Sequence, residues 1–319
     1  MSRPIFVHAI ALVADAPFIV GGRKPYSTTP APRPAAIEYG IRDASDVTPS
    51  SEGDTKRMSA IVGTAERMAV CGMELEVVRR GTGRPVLLLH GMQTFSPHIP
   101  FFQRLADHAA VITPSHPGFG HSPRPDGFET VYDLTRLYLD VLEALPHDKV
   151  TLIGFSFGGW LAAEVAVTCC HRIDRLVLVD PLGIKVGDRE TADILDVFNT
   201  SPDEVQRRSW HDPNRWSPDY DAMTDAQLVE RARNWDALSL YGWHPYMHDP
   251  RLAYWLRRID VPTLVLWGAS DRIVTPDYGR AYASLIPGAH FALIEQAGHH
   301  PEIEQSAEFV SRVLDFLND

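Results

Sequence analysis

Residues 149–159 read KVTLIGFSFGG, and this stretch decides the fold. A short apolar run, Lys149–Gly154, leads into the pattern Gly-x-Ser-x-Gly, and a helical pattern follows it. In such a tight strand-to-helix turn the serine is strained and exposed, and its neighbours two positions away must lack bulk. Gly154 and Gly158 meet that requirement. We therefore predict that Ser156 is a nucleophile, with an ordinary tight turn as the alternative.

The same alternation of apolar runs and helical patterns extends along the chain. Short apolar runs bounded by turn residues are typical of strands buried in a parallel sheet, and a hairpin is predicted over Glu66–Arg79. The other runs are Pro85–His90, Ala109–Thr113, Lys149–Gly154, Leu176–Asp180, Thr263–Trp267 and Phe291–Glu295. Helices are predicted at Val131–Leu145, Phe157–Cys170 and Ser306–Leu317. The pattern predicts an α/β fold with a mostly parallel sheet flanked by helices, and ligands beyond the carboxyl ends of the strands.

Residues 183–258 interrupt this rhythm, because a crossover between parallel strands needs far fewer residues. The interval holds five of the seven tryptophans, and we predict a helical cap there. Its predicted helices are Ala192–Phe198, Asp225–Ser239 and Pro250–Arg258, with Pro202, Pro213, Pro218 and Pro245 as breakers. Most of its aromatic side chains should pack within the cap, and some should face the site. Residues 63–182 and 259–319 are then the two parts of the core.

Residues 1–62 differ from the rest of the chain and are predicted to form a poorly ordered extension. Seven prolines fall within the first 60 residues, and no periodicity is sustained there. The apolar run Ile5–Ala14 and the small residues after it resemble a signal peptide, but His8 interrupts the run. A cytoplasmic location is therefore expected, with secretion as the alternative.

Composition excludes several classes of protein. The 41 acidic and 30 basic residues give a net charge of -11, which argues against binding to nucleic acid or to an anionic membrane. No apolar stretch is long enough to span a membrane. Three cysteines cannot build a disulfide framework: Cys169 and Cys170 are interpreted as small core residues, with a vicinal disulfide as the alternative, and Cys71 as a free thiol. The expected partner is a small-molecule substrate, and the oligomeric state stays open.

Five motifs follow one another along residues 66–319: HGM at 90–92, PGFGHS at 117–122, GFSFGG at 154–159, GASD at 268–271 and GHHPEIE at 298–304. With these motifs the chain resembles the α/β-hydrolase superfamily. Ser115 departs from the superfamily pattern, which usually has an aspartate there, but that position is not catalytic. The motifs fit the superfamily and leave the substrate open.

The serine hydroxyl needs a general base, and the base needs a carboxylate that fixes its tautomer. His299 lies in the superfamily's histidine motif and is the predicted base. His300 is the alternative, or else a residue that supports the base or faces the cap. Asp271 stands in the usual acid position, and Asp180 is the alternative because some members place the acid after that strand.

The backbone N–H groups of Phe157 and Met92 are predicted to form the oxyanion hole, the former because it follows the nucleophile. The resemblance implies that His90 and Gly91 orient the loop that carries Met92. His244 and His248 have a spacing that metal sites use, but Pro245 between them argues against a helix there. We therefore expect neither a metal nor a cofactor.

A serine at position 156 disfavours the dehalogenase and epoxide hydrolase chemistry of the superfamily, which uses aspartate at this turn. The expectation is a serine hydrolase that cleaves a small, mainly apolar carboxylic ester through an acyl-enzyme. One alternative is C–C bond hydrolysis of a vinylogous diketone, although relatives with that activity usually have tryptophan where His300 stands and a glycine-rich stretch in place of Met92–Thr94. The other alternative is a ligand-binding receptor, against which stands a complete triad.

Overall fold

The computed structural model describes residues 65–319, so the predictions made for residues 1–62 lie outside the described part. Eight strands of this part form one sheet: β1 (Ala65–Val70), β2 (Met73–Arg80), β3 (Arg84–Leu89), β4 (Ala109–Pro114), β5 (Val150–Phe155), β6 (Ile173–Val179), β7 (Thr263–Gly268) and β8 (His290–Ile294). Their order is β1-β2-β4-β3-β5-β6-β7-β8. The β1–β2 and β2–β4 pairs are antiparallel and the other five are parallel, which confirms the predicted α/β fold.

The described part also contains ten α-helices. They are α1 (Pro100–Ala106), α2 (Val131–Ala144), α3 (Phe157–Thr168), α4 (Pro202–Ser209), α5 (Pro213–Trp216), α6 (Asp225–Gly242), α7 (Leu252–Trp255), α8 (Pro276–Ser284), α9 (Pro301–Glu304) and α10 (Ser306–Asn318). Among residues 65–319, none of the helices has the length and apolar character needed to cross a membrane.

Two hydrophobic clusters cover the two faces of the sheet. Successive side chains of a strand point to opposite faces, so Leu87 and Leu89 of β3 join one cluster while Val86 and Leu88 join the other. The first cluster includes side chains of α2, α3 and α8, and the second includes those of α1 and α10. Every residue of β5 is buried, which is why this strand reads as a continuous apolar run.

The helices predicted on the core agree with the structure to within two residues. Val131, Leu134, Tyr138 and Val141 lie on one face of α2 and are buried. Thr130 begins this helix with a capping box to Asp133. A second capping box, between Thr224 and Gln227, begins α6, which extends to Gly242. The helices α1 and α8 lie outside the predicted set, and both have proline in the first turn.

The segment between β6 and β7, residues 183–258, is called the cap segment below; its boundaries as a domain stay a prediction. The helix predicted at Ala192–Phe198 is wrong. Ile194 instead forms an isolated β-bridge with Val274. The Leu195 N–H donates to the Ile273 carbonyl, so this segment is extended and pairs with the loop after β7. Tertiary pairing therefore overrides the helical pattern.

Two of the proposed helix breakers in the cap segment begin helices instead. Pro202 and Pro213 occupy the first turns of α4 and α5, where the N–H that proline lacks would have no partner within the helix. The helix predicted at Pro250–Arg258 is shorter than expected, since α7 is followed by a 3₁₀ turn, Leu256–Arg258. At these two positions proline marks the start of a helix, whereas the prediction had it end one.

The interpretation of Cys169 and Cys170 as core residues is also wrong. The helix α3 ends at Thr168, and Cys169 leaves the helical path with φ -145°, so both side chains are half-buried. Both thiols are free, as is that of the exposed Cys71. Cys71 and Gly72, with φ 50° and 76°, make the turn of the β1–β2 hairpin.

Candidate active site

The turn between β5 and α3 holds Ser156 in a strained conformation. Its φ of 51° lies in the left-handed region that residues other than glycine seldom adopt. The Ser156 N–H donates to the Val179 carbonyl at 2.8 Å, and its carbonyl accepts from the Leu182 N–H at 3.2 Å. A Cβ at position 154 would collide with the carbonyl of Gly158. The strained turn is therefore fixed from both sides by close backbone contacts.

Three side chains predicted from separate motifs meet at this turn. Ser156 Oγ lies 2.8 Å from His299 Nε2, and His299 Nδ1 lies 2.7 Å from Asp271 Oδ2. The other carboxylate oxygen of Asp271 accepts the N–H groups of Ile273 and Val274, at 2.8 and 3.2 Å. Since the imidazole Nδ1–H donates to Asp271, Nε2 is free to accept the hydroxyl proton of Ser156.

Two opposing effects act on the imidazole of His299. Burial lowers its pKa, because a charged ring loses its hydration, whereas the charge of Asp271 and the hydrogen bond to it raise the pKa. The carboxylate of Glu302 adds to the second effect, and the net pKa of His299 lies above the ordinary value. The site thus stabilises an imidazolium, the state that this ring would enter after taking a proton from the hydroxyl.

The loop that carries His299 is tied to the cap segment. The His299 N–H donates to the carbonyl of Ser209, at the end of α4, over 2.6 Å. The buried carboxylate of Glu304 accepts the N–H of Gly298 at 2.5 Å and that of His211 at 3.0 Å. It also accepts the N–H of Asp212 at 3.2 Å. One carboxylate thereby joins the histidine loop to the connection between α4 and α5.

The two segments predicted to carry the oxyanion donors lie next to the serine. Phe157 is the first residue of α3, so its N–H has no partner within the helix. Gly91 lies against Ser156: a Cβ at position 91 would be 3.2 Å from the Cβ of Ser156. A Cβ at position 158 would collide with the carbonyls of Leu89 and His90. Glycines at these two positions let the loop that carries Met92 pass close to Ser156.

His90 belongs to a buried network that the sequence did not reveal. The His116 N–H donates to His90 Nε2 at 3.0 Å, so the proton of His90 is on Nδ1, which donates to the Gly91 carbonyl at 2.8 Å. His116 Nε2 donates to the His90 carbonyl, and its Nδ1 accepts the hydroxyl proton of Tyr138 at 2.6 Å. Burial lowers the pKa of both rings, that of His116 to about 4. Two neutral histidines therefore support the loop over the nucleophile.

A second group missed by sequence reasoning is Asn234 of α6, whose side chain is fully buried. Its Oδ1 accepts the Gly120 N–H at 2.9 Å, and its Nδ2 donates to Gln93 Oε1 at 3.1 Å, one residue beyond Met92. The sequence did contain a signal for it: Asn234 lies four and seven residues before Leu238 and Tyr241, on the same face of a helix, and both of these are buried. Asn234 links the cap segment to the loop that carries the predicted oxyanion donor.

The two alternative site residues occupy different places. The His300 ring packs against the indole of Trp210 in the cap segment, with centroids 4.6 Å apart, and its Nδ1 lies 3.6 Å from Glu302. Asp180 lies beside Asp271 instead. Among the described residues, Asp180, Asp271 and His299 are the group whose possible metal-ligand atoms lie within 4.8 Å of one another.

The model of the alpha/beta hydrolase family matches residues 86–312. The chain belongs to the alpha/beta hydrolase family. A meta-cleavage product hydrolase of Pseudomonas fluorescens has a similar fold, with a TM-score of 0.66 and 21% identity over 79% of this chain and 97% of that one.

Two curated relatives differ in their chemistry. The 2-hydroxy-6-oxo-2,4-heptadienoate hydrolase of Pseudomonas putida is 28% identical over 262 residues, which cover 77% of this chain and 93% of that protein. A pimeloyl-[acyl-carrier protein] methyl ester esterase of Aeromonas salmonicida is 26% identical, over 77% of this chain and the full length of the esterase. The similarity thus includes an enzyme named for a dienoate substrate and one named for an ester.

Proposed function

We propose that this protein is a serine hydrolase that cleaves a small, mainly apolar carboxylic ester through an acyl-enzyme. The observation that carries the proposal is the continuous contact from Ser156 Oγ to His299 Nε2 and from His299 Nδ1 to Asp271, over 2.8 and 2.7 Å. These distances are those at which a hydroxyl proton passes to a base whose tautomer is fixed by a carboxylate.

The first half of the reaction is acylation. Ser156 Oγ attacks the ester carbonyl while its proton passes to His299 Nε2, and the carbonyl oxygen becomes an oxyanion. The N–H groups of Phe157 and Met92 stabilise that oxyanion, and the loss of one such donor typically reduces kcat about 100- to 1000-fold. Collapse of the tetrahedral intermediate breaks the C–O bond, and the alcohol leaves with the proton from the imidazolium.

The second half is hydrolysis of the acyl-enzyme. A water molecule gives a proton to the neutral His299 and attacks the acyl carbonyl. The second tetrahedral intermediate collapses, the carboxylic acid leaves, and Ser156 Oγ recovers the proton. The raised pKa of His299 supports both steps, since each requires the imidazole to hold a proton for part of the cycle.

A packed cluster of aromatic side chains lies beside Ser156 and extends into the cap segment. The ring of Phe157 is stacked with those of Phe119 and Tyr241, with centroids 6.2 and 6.3 Å apart. Tyr241 belongs to α6, so this stack extends from the residue after the nucleophile into the cap segment. All three rings are buried, so they make the packing next to Ser156 apolar, and a mainly apolar substrate is proposed on that ground.

The test is rapid mixing of the purified protein with para-nitrophenyl butyrate and para-nitrophenyl acetate. We expect a burst of nitrophenol equal to the enzyme concentration followed by steady turnover, and neither in Ser156→Ala. The variant keeps the Cβ of serine, so circular dichroism and thermal unfolding should match those of the wild type. A wild-type protein that folds normally and acylates with no ester of a graded acyl-chain series would overturn the proposal in favour of a ligand-binding role.

A second candidate is C–C bond hydrolysis of a dienoate, favoured by the name of the Pseudomonas putida relative. The same purified protein is therefore offered 2-hydroxy-6-oxo-2,4-heptadienoate, and kcat/KM is compared with that for the best ester. We expect the ester value to be higher by about 100-fold or more, a difference of about 3 kcal/mol in transition-state stabilisation. The reverse order would assign the protein to C–C hydrolysis.

A further inference from the structure

The carboxyl group of Asp180 lies next to the proposed triad and has no part in the reaction described above. It stands directly after β6, with the strained φ of 43°, and its N–H donates to the Leu266 carbonyl at 3.0 Å. Asp180 Oδ1 accepts the Gly268 N–H at 2.9 Å, whereas Oδ2 is buried and has no recorded hydrogen-bond partner. A buried carboxyl with one unsatisfied oxygen needs an explanation.

Hydrogen-bond donors are distributed unequally between the two neighbouring aspartates. Asp271 accepts two backbone N–H groups and the imidazole of His299. Asp180 accepts the N–H of Gly268. Donors favour the charged form of a carboxyl, and two buried carboxylates a few ångströms apart cannot both keep their charge. The negative charge of the pair therefore belongs on Asp271.

The surroundings of Asp180 favour its neutral form. Burial raises the pKa of Asp180 well above its ordinary value, and the charges of Asp271 and Glu302 raise it further, against the opposing hydrogen bond from Gly268. The titratable groups that face it come from three places: Asp271 after β7, His299 before α9, and Glu302 within α9. The imidazole is the one group among these three that can carry a positive charge.

We propose that Asp180 carries a proton on Oδ2 and donates it to the carboxylate of Asp271, as a positioning residue for the triad. This inference rests on the proposed function, since it assigns the task of Asp180 to the alignment of a general base. The hydroxyl formed at Oδ2 is then the hydrogen-bond donor, and its bond to Asp271 supplies the partner that Oδ2 otherwise lacks. The pair carries one negative charge.

A single charge matters because of its effect on His299. An ionised Asp180 within 4.8 Å would raise the pKa of His299 further, in addition to the effects of Asp271 and Glu302. A protonated imidazole cannot take the proton of Ser156, so a fully ionised pair would move acylation to higher pH. With a proton on Asp180, that residue does not raise the pKa of His299 further. The ring can then act as a base, and Asp271 still stabilises the imidazolium in the intermediate.

The decisive variant is Asp180→Asn, because an asparagine matches the protonated acid in shape, can accept from Gly268 and can donate to Asp271. The pKa of His299 is measured by NMR titration of the ring in the free protein. We expect Asp180→Asn to shift it by less than about 0.3 pH unit, since no charge is removed. A fall of about one unit or more would show that Asp180 is ionised in the wild type and overturn the proposal.

An infrared difference spectrum between the wild type and Asp180→Asn reads the proton directly. We expect a carbonyl stretch of a protonated carboxylic acid in the wild type at neutral pH and its loss in the variant. Its absence from the wild type would contradict the proposal. Neither this readout nor the titration uses a substrate, so both stay valid if the esterase assignment fails.

The kinetic constants of Asp180 variants distinguish a positioning role of this side chain from a role in packing alone. With the ester substrate, Asp180→Ala should lower kcat about tenfold with KM little changed, and Asp180→Asn should restore kcat to within about threefold of the wild type. Equal kcat for the alanine variant and the wild type would remove the positioning role. If Asp180→Ala does not fold, the asparagine variant and the infrared spectrum decide the question without it.

Discussion

Buried histidine rings flank the proposed nucleophile on two sides, two rings on one side and one on the other, and their pKa values are shifted in opposite directions. On the side of the predicted oxyanion hole, called the oxyanion side below, burial lowers the pKa values of His90 and His116. Their partners are carbonyl groups, an N–H and the hydroxyl of Tyr138. On the other side His299 is buried as well, yet its pKa is raised because its partner is the carboxylate of Asp271.

The difference between the two sides shows that burial alone does not decide what a histidine does. Hydrogen bonds to neutral partners oppose desolvation only in part, so the ring stays neutral and holds the loop through its hydrogen bonds. A carboxylate partner reverses the balance and gives a ring that can receive a proton. The predictions below change the hydrogen-bond partner or the charge of one of these rings, and each states how activity or stability should respond.

The largest effect is expected from Asp271→Asn, which gives His299 a neutral partner like those of His90. The amide no longer selects the tautomer or stabilises the imidazolium, so kcat for the ester should fall by about four orders of magnitude. Stopped-flow acylation rates and thermal unfolding measure the two consequences separately. Near-normal turnover would move the acid role away from Asp271, and Asp180 would be the next residue to test.

The second effect concerns stability at low pH on the oxyanion side. The pKa of His116 is about 4 when folded and close to 6.5 when unfolded, so the unfolded state binds the proton first. The stability that this ring contributes is present above pH 6.5 and is lost as the pH falls toward 4, by about 3 kcal/mol in all. Urea unfolding between pH 8 and 4 measures it. His116→Gln, which does not titrate, should reduce the slope in this window.

The third effect is the pH dependence of activity on the other side. His299 must be neutral to act as a base, and its pKa is raised, so kcat/KM should fall about tenfold per pH unit below a midpoint that lies above 6.5. For stability the sign is reversed, because a raised pKa stabilises the fold below the unfolded value and loses that contribution at higher pH. A midpoint of kcat/KM below 6.5 would show that Asp271 does not act on His299 as described.

The smallest effect is expected from Tyr138→Phe, which removes one neutral partner from His116. The variant leaves Nδ1 of that ring without its 2.6 Å hydrogen bond and should lower the free energy of unfolding by about 1 kcal/mol. The kcat for the ester should change less than about threefold, because no charge is altered. Tyr132→Phe, on the exposed side of the same helix, is the matched control. A loss of kcat as large as that of Asp271→Asn would make the two sides equivalent.

The sequence predicted the elements whose conformation depends on interactions between residues close together in the chain. The strands of the core, the helix α2 and the turn at Ser156 are set by apolar runs, spacing and glycine, all of which can be read within a dozen residues. The residues proposed for the triad were identified by motif, and the structure brings their side chains within hydrogen-bonding distance.

Contacts between distant parts of the chain could not be predicted in this way. His116 and His90 are 26 residues apart, and Asn234 and Gln93 are 141 apart, so no window contains both partners. The same reason explains the wrong helix at Ala192–Phe198, where pairing of Ile194 with Val274 replaces a local preference. The nearness of Asp180 to Asp271 depends on the adjacency of β6 and β7, which only the sheet order establishes.

The carboxylate of Glu304 has a mechanical consequence. It accepts N–H groups from the histidine loop and from the connection between α4 and α5, and the amide of His299 itself is bonded to Ser209. A displacement of α4 therefore strains the same backbone that aims the imidazole at Ser156. On this side the cap segment and the predicted proton acceptor are therefore coupled mechanically, through a single buried carboxylate and one backbone hydrogen bond.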